Sequence, residues 1–279
     1  MDKSKITFKK PSNWEESPLF CKISYYSSIL DSRYSIYVDK IEAKKIVKEL
    51  THGEIKTAKI VKELKNAEDF VESDINPLHI LKASHGCGWN LDLKTNTKID
   101  EIRDFINKRM HTYKSRENFE KQYNYIEPRF FIEEKINDFL YGVTGKAIVF
   151  MVRCIHGKPI SIGVKFKYIK KSKDKDKDKD KDKYIICEVN LLYDTNWNKI
   201  KDSEITKSDN IIFDIQKPKK FDIMIRNAEI LSQRFEFVRI DYYIDKKHDI
   251  YFSEFTFSPN GGYQTFNMEI EKETSKYWT

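Results

Sequence analysis

The chain has 279 residues, enough for one large or two modest domains at roughly 100–200 residues each, and its 39% hydrophobic and 14% aromatic content excludes wholesale disorder. Its 51 Lys and Arg against 44 Asp and Glu leave a net charge of +7, a mild and dispersed excess that favours an anionic partner such as a nucleotide, a sugar phosphate or nucleic acid. Apolar runs such as Ala147 to Val152 fall far short of the ~20 residues that cross a bilayer, and Met1-Asp2-Lys3-Ser4-Lys5 has no apolar signal core, so no membrane span and a cytoplasmic location are expected. Cys21, Cys87, Cys154 and Cys187 are far apart with no C-x-x-C spacing, which reads as reduced thiols rather than a disulfide framework or a zinc site.

In chain order, residues 1–38 read as a short, aromatic, irregular N-terminal segment. Asp39 is a natural N-cap for a helix over Ile41 to Leu50, because its carboxylate can accept from the free N–H groups of a first turn. The hexapeptide Lys-Ile-Val-Lys-Glu-Leu occurs at 45–50 and again at 59–64, an offset near four helical turns that predicts two stacked helical segments or a small duplication. Leu78 to Ala83, the turn Ser84-His85-Gly86-Cys87-Gly88, and Trp89 to Leu93 read as strand, glycine turn, strand. Residues 99–123 have mixed helical character. Arg129 to Ile136, Ala147 to Ile155, Pro159 to Lys170 and Tyr184 to Tyr193 read as strands. The Lys-Asp alternation at 173–183 is a solvated loop, with no glycine for a calcium-binding turn. Pro218 opens a helix with Phe221, Met224, Ile225, Ala228 and Leu231 on one face. Phe237 to Ile244 and Tyr251 to Phe257 alternate as an antiparallel hairpin, and Ser258 to Tyr263 is a loop.

The hairpin carries the chemistry. If Ile244 pairs with Tyr251, then Asp241 faces Glu254 and Arg239 faces Thr256, all on one side. Like charges directly opposite on a sheet are destabilising unless a positive group lies between them, and Mg²⁺ held by one or two carboxylates plus substrate phosphates is the economical solution. A register one residue off puts Asp241 opposite Ser253 and makes the carboxylates ordinary hairpin residues. In the glycine turn, exposed backbone N–H groups could cradle phosphate oxygens with Lys82 alongside, although an ordinary β-turn accounts for the same residues. It is neither a Walker A loop nor a dinucleotide fingerprint.

These pieces together resemble the ATP-grasp superfamily, and within it the TupA-like group associated with teichuronopeptide and other surface polysaccharides. The resemblance runs through Asp39-Lys40, Ile80 to Asn90, Tyr123, and Ile126-Glu127-Pro128-Arg129 to Glu134. It continues through Ala228 to Ser232, Phe237 to Tyr243 and Ile250 to Phe257, and covers residues 36 to about 279. It implies an α+β fold with nucleotide held between a small lid subdomain and a larger, mainly antiparallel sheet. The corresponding division is 1–38, 39–140 for the lid and adenine edge, and 141–279 for the sheet with the metal site.

By the same resemblance, Lys40 and Lys82 look like two ATP-contacting lysines, and Ser84, His85, Gly86 and Gly88 like the phosphate lid. Glu133 and Glu134 look like the edge that reads adenine. Asp241 and Glu254 look like the magnesium carboxylates, with Thr256 where more distant members carry an Asn ligand. Arg239 and Lys82 are the groups expected to stabilise the transferred phosphoryl charge. The family often has an Asp-Tyr-Lys strand where Val149-Phe150-Met151 stands here, leaving Arg153 or Lys165 to supply the missing positive charge.

The implied activity is ATP- and Mg²⁺-dependent ligation of a carboxylate to an amine through an acyl phosphate. The implied partners are ATP, a carboxylate-bearing sugar or glycan precursor, and an amine or amino acid. A kinase acting on a glycan hydroxyl, or a non-catalytic glycan or nucleic-acid binding module, are the rival readings. Nucleic acid is not the expected partner.

Overall fold

The computed structural model describes residues 4–112, 120–136, 148–171, 184–200 and 215–279. The Lys-Asp run at 173–183 and the expected 140/141 boundary lie outside them. The described helices are α1 (Leu19–Ile29), α2 (Ser35–Val38), α3 (Glu42–Leu50), α4 (Ile99–Met110), α5 (Phe221–Ser232) and α6 (Met268–Ser275). The strands are β1 (Lys56–Thr57), β2 (Ile60–Leu64), β3 (His79–Ala83), β4 (Asn90–Asp92), β5 (Phe130–Glu134), β6 (Val149–Ile155), β7 (Lys158–Lys171), β8 (Tyr184–Tyr193), β9 (Phe237–Ile244) and β10 (Ile250–Thr256).

The strands form two sheets. The larger has the order β1-β10-β9-β6-β7-β8 and is antiparallel except where β1 runs parallel to β10. The smaller has the order β2-β5-β3-β4 and is antiparallel throughout. Each sheet has its own apolar core. In the small sheet, Ile102, Ile106 and Met110 form the inner stripe of α4 and pack with Leu81, Phe130 and Ile132. In the large sheet, α5 buries Phe221, Met224, Ala228 and Leu231 at helical spacing, each large side chain contributing roughly 1.5–3 kcal/mol by leaving water. The architecture is α+β, with a larger and a smaller mainly antiparallel sheet, as the resemblance implied. Among the described residues no helix is long and apolar enough to cross a membrane.

Three sequence expectations change. Residues 1–38 are not irregular: Pro18, in extended conformation, starts α1, whose Leu19, Ile23 and Tyr26 are buried in the large-sheet core. The many Tyr and Ser residues of that helix are middling helix formers, which hides its start and its period. The second hexapeptide copy is not helical. Residues 60–64 form β2 against β5, while residues 45–50 lie in α3, so the repeat records no duplication of structure. Residues 39–57, placed with the lid by sequence, contribute Ala43, Ile46, Val47 and Ile55 to the large-sheet core, and the small core begins at Leu64. The C-terminal α6 was not foreseen at all. It carries the chain to Trp278, which stacks on Phe237 and meets Tyr26 and Trp14 edge-on.

Candidate active site

The site lies where the small sheet faces β9 and β10. The two strands pair with Ile250 opposite Ile244 and Tyr251 opposite Tyr243, which is the alternative register at the hairpin tip. A β-bulge then intervenes between Phe252 and Glu254, and beyond it Glu254 faces Asp241 and Thr256 faces Arg239. The expected Ile244–Tyr251 pair is therefore absent while the expected carboxylate pair is present. The extra residue, Ser253, re-aims the strand, the recurrent use of a bulge beside a functional site.

Asp241 is 4% exposed and receives a two-pronged guanidinium contact from Arg239, with Nε donating to Oδ1 at 2.7 Å and Nη2 to Oδ2 at 2.7 Å. Burial pushes the Asp241 carboxyl above the ordinary aspartate range; Arg239 opposes that rise and the facing Glu254 adds to it. Glu254 makes no hydrogen bond or ion pair with a described residue. Thr256, expected as a metal ligand, accepts a hydrogen bond from Arg239 Nη2 at 3.3 Å. Among the described residues there is no cluster of three His, Cys, Asp or Glu. Two oxygen-bearing carboxylates, one without a partner, fit Mg²⁺, which takes one or two carboxylates and completes its shell with phosphate and water.

The small sheet supplies the opposing positive charge. Lys82 on β3 pairs with Glu133 on β5 at 2.5 Å, and Lys44 on α3 pairs with the other carboxylate oxygen. Burial works against charging Lys82, but Glu133 outweighs it, helped by Tyr243 and Glu254 across the cleft, and the amine is held above the ordinary lysine range. For Lys44 burial wins and the amine is held below it. Glu133, 4% exposed, is thus locked between two lysines. Its side chain organises Lys82 rather than presenting an edge to adenine. Lys44 was not foreseen; its only sequence signal is the four-residue spacing from Lys40.

Lys40 precedes α3, where Asp39 Oδ1 accepts from the Ile41 and Glu42 amides at 2.8 and 3.2 Å, as the capping argument expected. Asp39 Oδ2 also accepts from Arg129 Nη2 at 2.9 Å, tying the helix start to the small sheet. The Lys40 ammonium donates to the Gly86 carbonyl, and burial lowers its pKa against the pull of Glu254. The glycine turn is therefore joined to a site lysine.

Within that turn Gly86 is obligatory, because a Cβ there would stand 2.3 Å from the Trp89 ring, and Gly88 takes φ +70°. Ser84 and His85, expected to contact ATP, are fully buried. His85 lies edge-on to Trp89 and Phe130, with Nε2 2.9 Å from the Arg109 carbonyl, so its ring belongs to the small-sheet core. The Ser84 backbone is occupied as well, its N–H donating to the Arg129 carbonyl at 2.8 Å and its carbonyl accepting from the Lys40 amide at 3.2 Å.

Two cavities open on residues of the β9–β10 hairpin, neither of them lined by Asp241 or Glu254. One, of about 580 Å³, is lined by Glu134, Lys135 and Ile136 at the end of β5 and by Asp245, Lys246 and Tyr251 of the hairpin. The other, of about 220 Å³, is lined by Arg239, Arg153, Lys165 and the 259–266 loop. Arg239, near the start of β9, lines the smaller cavity, and Asp245, just past its end, lines the larger, with Asp241 between them along the strand.

The sequence model of the TupA-like ATP-grasp family matches residues 24–277. The chain belongs to this family. No curated protein matches it. Among solved structures it is similar to D-alanine–D-alanine ligase from Bacillus anthracis, at 15% identity over 87% of this chain and 65% of that one, with a TM-score of 0.46. It is also similar to L-amino acid ligase from Bacillus licheniformis, at 11% identity over 83% of this chain and 45% of that one, with a TM-score of 0.45. A third is the ATP-grasp ligase PsnB, solved with a phosphomimetic variant of its minimal precursor, Mg and ADP, at 10% identity over 87% of this chain and 58% of that one, with a TM-score of 0.42. The chain spans less than two thirds of the length of each of these proteins.

Proposed function

We propose that the protein is an ATP- and Mg²⁺-dependent carboxylate–amine ligase that modifies a sugar acid or glycan precursor in surface-polysaccharide biosynthesis. The observation that carries this reading is the facing pair Asp241 and Glu254, with Glu254 unpaired, set across a cleft from Lys40 and Lys82. A cleft with cations on one wall and free carboxylate oxygen on the other suits a metal–polyphosphate, which needs both. The association of TupA-like proteins with surface polysaccharides supports the glycan part of this reading.

In this reading the larger cavity takes the nucleoside end, with Glu134, Lys135 and Ile136 along one wall. Lys82 and Lys40 hold the phosphates, and the Lys40 contact with Gly86 brings the glycine turn down over them. Asp241 and Glu254 would hold Mg²⁺, which would supply positive charge for the phosphate chain. An oxygen of the substrate carboxylate attacks the γ-phosphorus, the bond to the β–γ bridging oxygen breaks, and ADP departs. The amine nitrogen then attacks the acyl carbon, inorganic phosphate leaves, and the nitrogen gives up a proton to the released phosphate or to water. Arg239, fixed by Asp241, stabilises the charge on the transferred group, so catalysis rests on positioning and electrostatics rather than on a nucleophilic side chain.

Calorimetric titration of ATP with and without Mg²⁺, at fixed salt, tests this on the wild type and on Asp241→Asn/Glu254→Gln. The expected result is Mg²⁺-enhanced binding that the double variant loses by tenfold or more, about 1.4 kcal/mol. Absence of nucleotide binding to the wild type, or undiminished Mg²⁺ dependence in the variant, overturns the reading.

A further inference from the structure

The smaller cavity contains a charge that the phosphate-handling groups do not explain. Arg153 on β6 is directly opposite Arg239 on β9. Like charges in facing positions on a sheet repel, and the two arginines resolve the conflict differently. Arg239 is neutralised by its two-pronged contact with Asp241. Arg153 has no such partner. It is only 4% exposed, and its Nη1 makes no hydrogen bond to any described residue.

A buried guanidinium with an unsatisfied N–H is costly, and native structures keep one where something else completes it. Burial together with the Arg239 charge pulls its pKa down to about 10. Its surroundings hold the guanidinium in place without satisfying it. The Phe266 ring covers one face, with its centroid 4.6 Å from Cζ. Gly163 on β7 leaves room on the other side, since a Cβ there would stand 3.2 Å from Nη1 and 3.0 Å from Met151 Cε. Lys165, the nearest alternative cation, is already committed to Glu188 at 2.8 Å. Asp241 and Glu271 attract the Arg153 charge from a distance, but no described carboxylate forms an ion pair with it, so it is the cation of this cavity without a direct partner.

Position decides which part of a ligand it meets. Strands are spaced by about 4.8 Å, so Arg153 is one strand beyond Arg239 and two beyond Glu254, away from where the transferred phosphoryl group would lie. The cavity volume of about 220 Å³ is below the roughly 300–1,000 Å³ of ordinary small-molecule sites, which suits a small acid or the acidic end of a larger molecule.

Building on the ligase reading above, we propose that this cavity is a substrate subsite in which Arg153 holds a non-reacting carboxylate, selecting substrates that carry an anionic group in addition to the one being activated. The carboxylate comes either from an amino acid whose amine is the nucleophile or from a second acid group on the acceptor.

The test uses L-alanine, amine-free succinate and L-alaninamide, titrated at constant ionic strength and followed by ligand-observed NMR. Wild type, Arg153→Met, Arg153→Lys and Gly163→Ala are compared, each also titrated with Mg-ATP. L-Alanine or succinate is expected to bind the wild type and L-alaninamide is not. Arg153→Met should weaken the bound carboxylate tenfold or more, Arg153→Lys less, and Gly163→Ala by crowding the guanidinium, while Mg-ATP affinity stays within about twofold.

Preference for L-alanine identifies the nucleophile as the source, and preference for succinate identifies the acceptor. Failure of both carboxylates to bind the wild type, or equal binding by Arg153→Met, overturns the proposal. The Mg-ATP titration separates the two readings: loss of nucleotide binding in the wild type removes the ligase, whereas Arg153-dependent carboxylate binding stands without it.

Discussion

Glu133 and Asp249 are each set between two lysines, and the main difference between their surroundings is water. Glu133 lies between Lys44 and Lys82 under the small sheet, with its side chain 5% exposed. Asp249, in the turn between β9 and β10, takes Lys56 at 2.6 Å and Lys220 at 2.5 Å, with those lysine side chains 50% and 41% exposed. The stoichiometry is the same, so any difference in energetic weight comes from the surroundings. In the buried group the three charges depend on one another for solvation. In the exposed group water can replace any member.

Breaking the buried group should have the largest effect. Glu133→Gln leaves two lysines without their counter-charge and should cost about 3–5 kcal/mol in urea unfolding at neutral pH. Lys44, which burial already holds below the ordinary lysine range, loses the one group that opposed that shift, so the folded state binds fewer protons there. Stability should accordingly recover as the pH is raised toward the ordinary lysine range. A loss no larger than that of an exposed pair would show that water reaches this cluster.

The repeated hexapeptide sharpens the same lesson with apolar residues. Val47 in α3 is fully buried in the large-sheet core, and Val61, its counterpart in β2, is 46% exposed. Val47→Ala should cost about 1–2 kcal/mol, the burial and cavity loss being partly offset by the better helix propensity of alanine. Val61→Ala should cost less than about 1 kcal/mol, the full span of strand preference. Parallel thermal unfolding of the two variants checks this, and equal losses would contradict the burial assigned to the two copies.

That hexapeptide also shows where sequence reading stops. Ile-Val-Lys-Glu-Leu satisfies a helical stripe and a two-residue alternation equally well, and only the Asp39 cap on one side and pairing with β5 on the other separate them. The β9–β10 hairpin was legible because its partners are close in sequence and its alternation is clear, which put Asp241 opposite Glu254. The Ser253 bulge was not legible, since one extra residue changes no composition and leaves no periodic trace. Arg153 facing Arg239 was hidden for another reason: β6 and β9 are joined by a long stretch of chain, and no local pattern encodes that pairing. The inward turn of Ser84 and His85 was masked by the glycines around them, which suggest an open loop, although Trp89 closes it.

The exposed group offers the smallest and most specific effect. Hydrogen bonds from Lys220 and then Lys56 lower the Asp249 pKa from 3.8 to about 2. A carboxylate whose folded pKa lies below its unfolded value stabilises the fold fully above the unfolded value, and that contribution drains away as the pH falls toward the folded one. Asp249 should therefore contribute above about pH 4 and nothing below about pH 2. Because all three partners meet solvent, the contribution should be small and shrink further in salt. Comparing the wild type with Asp249→Asn in urea unfolding at pH 5 and pH 2.5 isolates it: the difference between the two proteins should narrow at the lower pH and in high salt. A difference that persists in both conditions would mean that this exposed triad behaves like the buried one, and that burial is not what separates them.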